Sequence, residues 1–181
     1  MGQRGPRIST MTKPDHTRQC CCSFLLDHSA HHWVNAVVAA AISVGRARGS
    51  EVSAGGTGHT EAVQIEYDPT KVTYEELLNV YWRNVDPTTP DAQFCDHGNQ
   101  YRPEIFYHTE EQQQLAEASR THIEKTKTFP EPIVIEITQG TTFYPAEDFH
   151  QNYYQTNPLR YKFYRLACGR DSRLAALWGT G

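Results

Sequence analysis

Apolar and polar positions follow two different periods from residue 61 onward. Apolar residues alternate with polar ones, or form a short β-branched run, in three predicted strands at Ala62–Tyr67, Glu104–Tyr107 and Ile133–Ile137. They recur every three or four positions in three predicted helices, which cover residues 74–84, 109–127 and 144–154. Strands and helices mixed in this order, with long loops between them, predict a single α+β domain in this part of the chain.

The first of these helices carries its own start signal. Thr73 precedes the helix and Glu76 follows three residues later, which is the spacing of a capping box. One face of the helix then carries an apolar stripe of Leu77, Leu78 and Tyr81. We therefore predict this helix over Tyr74 to Asn84.

The first 50 residues differ in composition from the rest. They hold six Lys or Arg and two Asp, whereas the remainder holds eleven basic and nineteen acidic residues. We predict a basic Cys/His/Ala-rich leader over 1–50, which is either transit-like or unrelated sequence, followed by a domain over 51–181. Within the leader, residues 1–19 are predicted to be disordered and Trp33–Val44 to form a short helix.

Composition narrows the classes of function. Hydrophobic residues make up 38% of the 181 residues and the net charge is −4, so the acidic main body offers no nucleic-acid surface. The longest apolar run, from Val34 to Ile42, is too short to span a membrane. The five cysteines are odd in number and three are adjacent, which favours free thiols in a reducing compartment and hence a cytoplasmic protein.

Glu61 occupies an unexpected position at the start of the first predicted strand. Side chains two apart point the same way along a strand, so Glu61 shares a face with Val63, Ile65 and Tyr67. Either its head reaches water at the strand edge, or the carboxyl is buried and functional. Burial raises the pKa of a carboxyl, which can then hold a proton at neutral pH as a general acid does.

Two further segments concentrate polar side chains. Asp96, Gln100 and Tyr101 lie in FCDHGNQYRPEIFY, which is either a turn or the polar wall of a pocket. Glu147 and His150 lie three apart in TTFYPAEDFHQNYY, but no second pair of ligands accompanies them, so we predict no metal site.

Cysteines occur in three places along the chain. Cys168 follows a basic stretch and is surrounded in sequence by Arg165, Arg170 and Arg173, whose charge would favour its thiolate. The triplet Cys20-Cys21-Cys22 lacks zinc-finger spacing, because adjacent residues cannot readily all ligate one tetrahedral ion. The remaining cysteine, Cys95, lies directly before Asp96.

Several segments, taken in order, resemble the A-type peptide-methionine sulfoxide reductases: GTGHTEAV, YDP, TYEELL, YW, DPTT, CDHGNQYR, IFY, FYPAEDFHQNYY, YKFYRLACGRD and LWG. The similarity runs from about Glu51 to Gly179. It implies an α+β two-layer sandwich with a small mixed sheet, of the ferredoxin-like type. Because residues 1–50 are not matched, we expect that sheet to be incomplete at the N-terminus, with an exposed edge.

The resemblance also implies a reaction. Such enzymes reduce the S-epimer of methionine sulfoxide, free or in proteins, and so repair proteins after oxidative stress. A cysteine thiolate attacks the sulfoxide sulfur, a second cysteine converts the resulting sulfenic acid into a disulfide, and thioredoxin reduces that disulfide. No bound cofactor is implied, and the protein is expected to be a monomer.

The resemblance assigns roles to residues of this sequence. The proton donor resembles Glu61, the pocket is completed by Asp96 and Tyr101, and the resolving cysteine resembles Cys168. Substrate contacts are expected from His59, Gln100 and Tyr101. Cys95 belongs to a QFCD variant of the pocket motif and is not expected to be redox-active.

The family's Gly-Cys-Phe-Trp element, which contains the nucleophilic cysteine, is absent from this sequence. Its expected distance before Glu61 corresponds to the cysteine triplet, so Cys22 and Cys21 are candidate nucleophiles. Alternatively, residues 1–50 are frame-altered or alternatively spliced sequence. The chain would then be an inactive, truncated reductase that keeps the substrate-pocket half as a binding module.

Overall fold

A computed structural model describes residues 58–179, together with Val52, Gly56 and the backbone of two earlier strands. Its main sheet has five strands: β1 (Arg7–Met11), β2 (Val34–Ala40), β3 (Glu61–Tyr67), β6 (Glu104–Tyr107) and β7 (Glu136–Gln139). Their order across the sheet is β2-β3-β1-β6-β7. All pairs are antiparallel except β6 with β7, so the sheet is mixed as expected.

The first 50 residues contribute two of these strands, which corrects three expectations. Val34–Ala40 is a strand and not part of a helix, and Arg7–Met11 is a strand and not disordered. The sheet is also not left open beside β3, because β1 and β2 pair with it on either side. The physical reason is that a central strand must pair its backbone N–H and C=O groups. The domain division at residue 50 stays a prediction.

Two long helices cover one face of the sheet. Helix α1 (Tyr74–Asn84) packs against α2 (Glu110–Thr126), and α2 also contacts β6 and β7. The buried core between them includes the apolar side chains of β3 and of both helices: Val63, Ile65, Tyr67, Leu78, Tyr81, Trp82, Ala116 and Ile123. The α+β prediction is therefore confirmed, and the apolar stripe of α1 faces the core.

The start of α1 follows its local sequence. Thr73 Oγ1 accepts a hydrogen bond from the Glu76 N–H at 3.2 Å, and the Thr73 N–H donates to Glu76 Oε2 at 2.7 Å. Both halves of the predicted capping box are present. In the last turn, Trp82 Nε1 donates to Ser119 Oγ at 3.0 Å, which fixes α1 to α2.

The C-terminal third differs more from the predictions. The third strand lies at Glu136–Gln139, a few residues after its predicted position. The helix predicted over 144–154 is replaced by a 3₁₀ turn at Asp148–His150 and a short helix α3 (Tyr153–Thr156). Asn152 separates the two in a left-handed conformation (φ 52°), which interrupts helical geometry.

Two further helices close the chain and were not predicted. Helix α4 covers Pro158–Ala167 and α5 covers Arg170–Trp178. Gly169 separates them at φ 65°, a conformation that favours glycine. Within the described part of the chain, every helix is too short or too polar to cross a membrane.

Candidate active site

Glu61 is completely buried at the first position of β3, with 0% of its surface exposed. It shares a strand face with Val63 and Ile65, which belong to the core between the sheet and the helices. His59 and Thr60, directly before it, are buried as well. Of the two alternatives for Glu61, the structure therefore favours a buried carboxyl over one that reaches water.

The strand directions bring a second loop to the same end of the sheet. Strands β3 and β6 are both antiparallel to β1, so they run the same way and their first residues lie at one end. Thr60 Oγ1 donates to Glu104 Oε2 at 3.5 Å and joins the two starts directly. Tyr101 is buried in the 3₁₀ turn Asn99–Tyr101, three residues before Glu104. Glu61 and Tyr101 therefore both lie at this end.

Glu104 is a buried carboxyl that the sequence analysis missed. Its Oε2 pairs with Arg102 Nε at 3.0 Å, and Thr138 Oγ1 donates to its Oε1 at 2.5 Å. Burial raises the pKa of Glu104, against the opposing effects of Thr138 and Arg102. The available signal was the one used for Glu61, namely a carboxyl that opens a strand of buried apolar residues.

Asp96 lies on a small hairpin that its neighbours fix in place. Strands β4 (Ala92–Gln93) and β5 (Asp96–His97) pair antiparallel around Phe94 and Cys95. The Gln93 side chain binds the Asp86 backbone twice, accepting from its N–H at 3.1 Å and donating to its carbonyl at 2.8 Å. The Asp96 carboxylate is only 1% exposed. The segment predicted as a turn or a pocket wall is thus a short hairpin that buries Gln93 and Asp96 and leaves His97 exposed.

Tyr164 and Cys168 join this hairpin to the C-terminal helices. Tyr164 Oη donates to Asp96 Oδ2 at 2.5 Å, and neither side chain is accessible to more than a small degree. A disulfide links Cys95 to Cys168, with their Cα atoms 5.2 Å apart. Cys95, which was not expected to be redox-active, is thus the bonded partner of Cys168, and whether this bond takes part in catalysis stays a prediction.

The arginines near Cys168 in sequence are paired with other groups. Arg165 forms a bidentate ion pair with Asp171, and Arg173 Nε donates to Asp86 Oδ2 at 2.7 Å. Arg170 donates to the Asn84 carbonyl at 2.6 Å and stacks over the Phe94 ring. The Arg170 and Arg173 contacts anchor α5 to residues 84–94, which precede Asp96, whereas the Arg165 ion pair joins α4 to α5. The arginines therefore position the two helices.

Asp86, the carboxylate that Arg173 contacts, is held by several hydrogen bonds. Burial alone would raise the pKa of Asp86, but hydrogen bonds from Arg173 and Thr88 outweigh it and lower the pKa. Thr88 contributes both its N–H, at 2.9 Å, and its hydroxyl, at 2.7 Å.

The Glu147 and His150 pair shows no ion-binding geometry. His150 Nε2 lies 3.7 Å from Glu147 Oε2, and burial lowers the pKa of His150 against the opposing charge of Glu147. Among the residues that the structure describes, no cluster of three or more His, Cys, Asp or Glu side chains could hold a metal ion.

The sequence-predicted site residues fall into two groups. Glu61, Tyr101, His59 and Gln100 are all buried around one end of the sheet, whereas Asp96 and Cys168 meet through Tyr164 and Cys95. Cys21 and Cys22 lie outside the described residues. Their roles as nucleophile candidates, and the catalytic roles of the other residues, stay predictions.

The family model for peptide methionine sulfoxide reductases matches residues 42–180, which is most of the chain. This chain belongs to that family. It is similar to the peptide methionine sulfoxide reductase MsrA of Listeria monocytogenes serotype 4a, at 48% identity over 128 residues, 71% of this chain and 72% of that protein. The protein of the same name from Halalkalibacterium halodurans is 50% identical over 129 residues, 71% of this chain and 73% of that one.

Solved structures of the family share the fold. Methionine sulfoxide reductase A of Corynebacterium diphtheriae superposes with a TM-score of 0.70 at 27% identity, over 85% of this chain and 76% of that one. Reduced Mxr1 from Saccharomyces cerevisiae superposes with a TM-score of 0.73 at 24% identity, over 84% of this chain and 85% of that one. At 24% identity, the likeness to Mxr1 supports the fold alone. Both agree with the α+β architecture described above.

Proposed function

We propose that this chain reduces methionine S-sulfoxide, free or in proteins, to methionine, and so repairs oxidised proteins. Family membership supports the reaction class, since the matched relatives are named as peptide methionine sulfoxide reductases. The alternative of an inactive binding module gains no support from these relatives. The observation that carries the proposal is the complete burial of Glu61 at the end of the sheet where Tyr101 also lies.

The chemistry explains why a buried carboxyl is useful. Attack on a sulfoxide sulfur leaves negative charge on the oxygen, so the step requires a proton donor. A carboxyl out of contact with water favours its neutral form and can donate at pH 7. Glu61 is the proposed donor, and Asp96 and Tyr101 are proposed to orient the substrate, with His59 and Gln100 beside them.

Thiols supply the two electrons of the reduction. In the proposed cycle a cysteine takes the oxygen as a sulfenic acid, Cys168 converts it to a disulfide, and an external dithiol restores the thiols. Position relative to Glu61 makes Cys21 and Cys22 candidates for the first thiol. No bound cofactor enters this cycle, and the chain is proposed to act as a cytoplasmic monomer.

Thioredoxin is the proposed external dithiol, and helix α4 offers a surface for it. Leu159, Phe163 and Leu166 are exposed by 83%, 74% and 74%, and their i, i+4, i+7 spacing places them on one face. The helix ends at Ala167, directly before Cys168. An apolar stripe beside a half-buried disulfide is suited to a protein that must dock before it exchanges thiols.

The decisive test is reduction of methionine S-sulfoxide by the full chain, with dithiothreitol as reductant. Glu61→Gln keeps the shape of the side chain but removes the acidic proton, so kcat should fall about 10²-fold or more. Glu66→Gln on the same strand is the matched control and should retain the wild-type rate. An unchanged kcat in Glu61→Gln would refute the proton-donor role, and an inactive wild type would refute the function.

The proposed docking stripe has a separate test. Phe163→Ser should lower kcat/KM for thioredoxin several-fold while leaving the rate with dithiothreitol unchanged, because a small reductant needs no docking surface. Lys162→Ser, an exposed polar position on the same helix, serves as the control. Equal rates with thioredoxin in both variants would exclude the stripe as its binding surface.

A further inference from the structure

The Glu104 carboxylate is held by three side chains at the end of the sheet where the proposed site lies. Its Oε2 pairs with Arg102 Nε at 3.0 Å and accepts a hydrogen bond from Thr60 Oγ1 at 3.5 Å. Its Oε1 accepts a hydrogen bond from Thr138 Oγ1 on β7. Strands β3 and β6 are separated by β1, so their backbones lie about 10 Å apart. The Glu104 side chain therefore joins two strands that are not neighbours in the sheet.

Arg102 extends this link to the turn that carries Tyr101. Arg102 Nη1 donates to the Asn99 carbonyl at 3.0 Å and to Asn99 Oδ1 at 2.9 Å, while Arg102 Nε binds Glu104. Asn99 opens the 3₁₀ turn Asn99–Tyr101, and Tyr101 closes it with 2% of its surface exposed. One guanidinium group thus binds both the turn and the first residue of β6.

The backbone between the turn and the strand is short and restricted. Only Arg102 and Pro103 lie between Tyr101 and Glu104. Arg102 has φ −59° and ψ 137°, the extended conformation that a following proline favours, and the proline ring fixes the φ of Pro103. A displacement of Glu104 would therefore be passed on to Tyr101, because the link has little freedom to absorb it.

A carboxylate at this position adds fixed geometry more than stability. Moving the charges of an ion pair out of water costs free energy, and apolar residues of similar volume often replace a buried pair without loss of stability. Glu104 is 3% exposed, and its bonds to Arg102 and to two threonines are directional. These bonds fix the position of the side chain in a way that apolar contacts would not.

The two sides of the proposed site are connected through this link. Glu61 directly follows Thr60 at the start of β3, and Tyr101 precedes β6 by two residues. We propose that Glu104 is a positioning residue, which sets where Tyr101 lies relative to Glu61. Glu104 acts through Tyr101 and makes no contact of its own with the sulfoxide. This inference rests on the proposed function, in which Tyr101 and Glu61 act on one substrate.

Replacement of Glu104 by glutamine tests the link. Glu104→Gln keeps the shape of the side chain but removes the charge that pairs with Arg102. With methionine S-sulfoxide and dithiothreitol, below the Tm of every variant, kcat/KM of the full chain should fall by about 10- to 10²-fold, as expected when a substrate-binding group is displaced by up to about 1 Å. Glu136→Gln is the matched control, because Glu136 is exposed and lies opposite Glu104 in the register of β6 and β7. The control should keep the wild-type kcat/KM.

A double variant separates positioning from a loss of stability. If Glu104 acts through Tyr101, the double variant Glu104→Gln/Tyr101→Phe should have a kcat/KM within about threefold of that of Tyr101→Phe alone. If Glu104→Gln merely reduced the amount of folded protein, its loss would multiply with that of Tyr101→Phe, and this result would overturn the inference. Arg102→Gln, at a partly exposed position, breaks the same link should Glu104→Gln fail to fold, and its kcat/KM should fall to a similar extent.

The inference and the proposed function fail in different ways. An active wild type with an unchanged kcat/KM in Glu104→Gln, or in Arg102→Gln where that variant replaces it, would overturn the positioning role and leave the proposed function intact. An inactive wild type would overturn both.

Discussion

Tyr164→Phe removes one hydroxyl from the junction between helix α4 and the Asp96 hairpin. That hydroxyl donates to Asp96 Oδ2 at 2.5 Å, and the carboxylate that receives it is 1% exposed. A hydrogen bond to a charged group contributes about 1.5–3 kcal/mol, and water cannot easily replace it at a buried site. For a chain of this size, that loss corresponds to a drop of roughly 3–12 °C in Tm.

Urea denaturation of the reduced protein measures this loss, since the disulfide joins the same two segments and would hide it. Tyr154→Phe is the matched control. The Tyr154 hydroxyl accepts a hydrogen bond at 2.7 Å from the side chain of Gln155, the next residue in sequence, and so joins no distant segments. The control should change the free energy of unfolding by no more than about 0.5 kcal/mol. If Tyr164→Phe lost no more than the control, the tyrosine would not hold α4 on the hairpin, and the account of this junction would be wrong.

Three further substitutions probe the fold. Because the pKa of Asp86 is lowered by Arg173 in the folded state, the stabilisation is present above the unfolded pKa of about 3.9 and is lost as pH falls through the folded value. Arg173→Ala should therefore cost about 1 kcal/mol at pH 7 and progressively less as the pH falls below about 3.9, and an equal loss in urea at every pH would contradict the linkage. Thr73→Ala should remove about 1 kcal/mol by opening the capping box, measured as a lower Tm, and an unchanged Tm would exclude that role. Leu78→Ala, at a fully buried core position, should cost about 2–5 kcal/mol in urea denaturation, whereas a loss under 1 kcal/mol would argue against the described packing.

The sequence predicted correctly those elements whose structure depends on contacts between residues close together in the chain. Helix α1 begins at Tyr74 and ends at Asn84 as predicted, because its capping box and apolar stripe lie within a dozen residues. For Glu61 the sequence left two alternatives, exposure at the strand edge or burial, and the structure shows burial. Burial could be proposed from the sequence because strand alternation fixes which face a side chain occupies.

The elements that the sequence did not predict depend on contacts between residues far apart in the chain. Val34–Ala40 is rich in Ala and Val, so its pattern fits a short helix or a buried strand, and only pairing with β3 settles the choice. Helix α4 exposes apolar residues, which obscures its amphipathic period, and its position depends on contacts with the hairpin. No spacing rule could have paired Cys95 with Cys168, because a disulfide partner is set by the fold.

The C-terminal helices are held to the hairpin by non-covalent contacts as well as by the disulfide. Reduction breaks the bond between Cys95 and Cys168, but the Tyr164–Asp96 and Arg173–Asp86 contacts do not depend on it. Because these contacts lie on both sides of Cys168 in sequence, they keep its thiol near Cys95 in the reduced protein. Re-formation of the disulfide between the two thiols is then an intramolecular step at high effective concentration. The same contacts explain why two carboxylates, a tyrosine and an arginine accompany a disulfide that would by itself hold the oxidised form together.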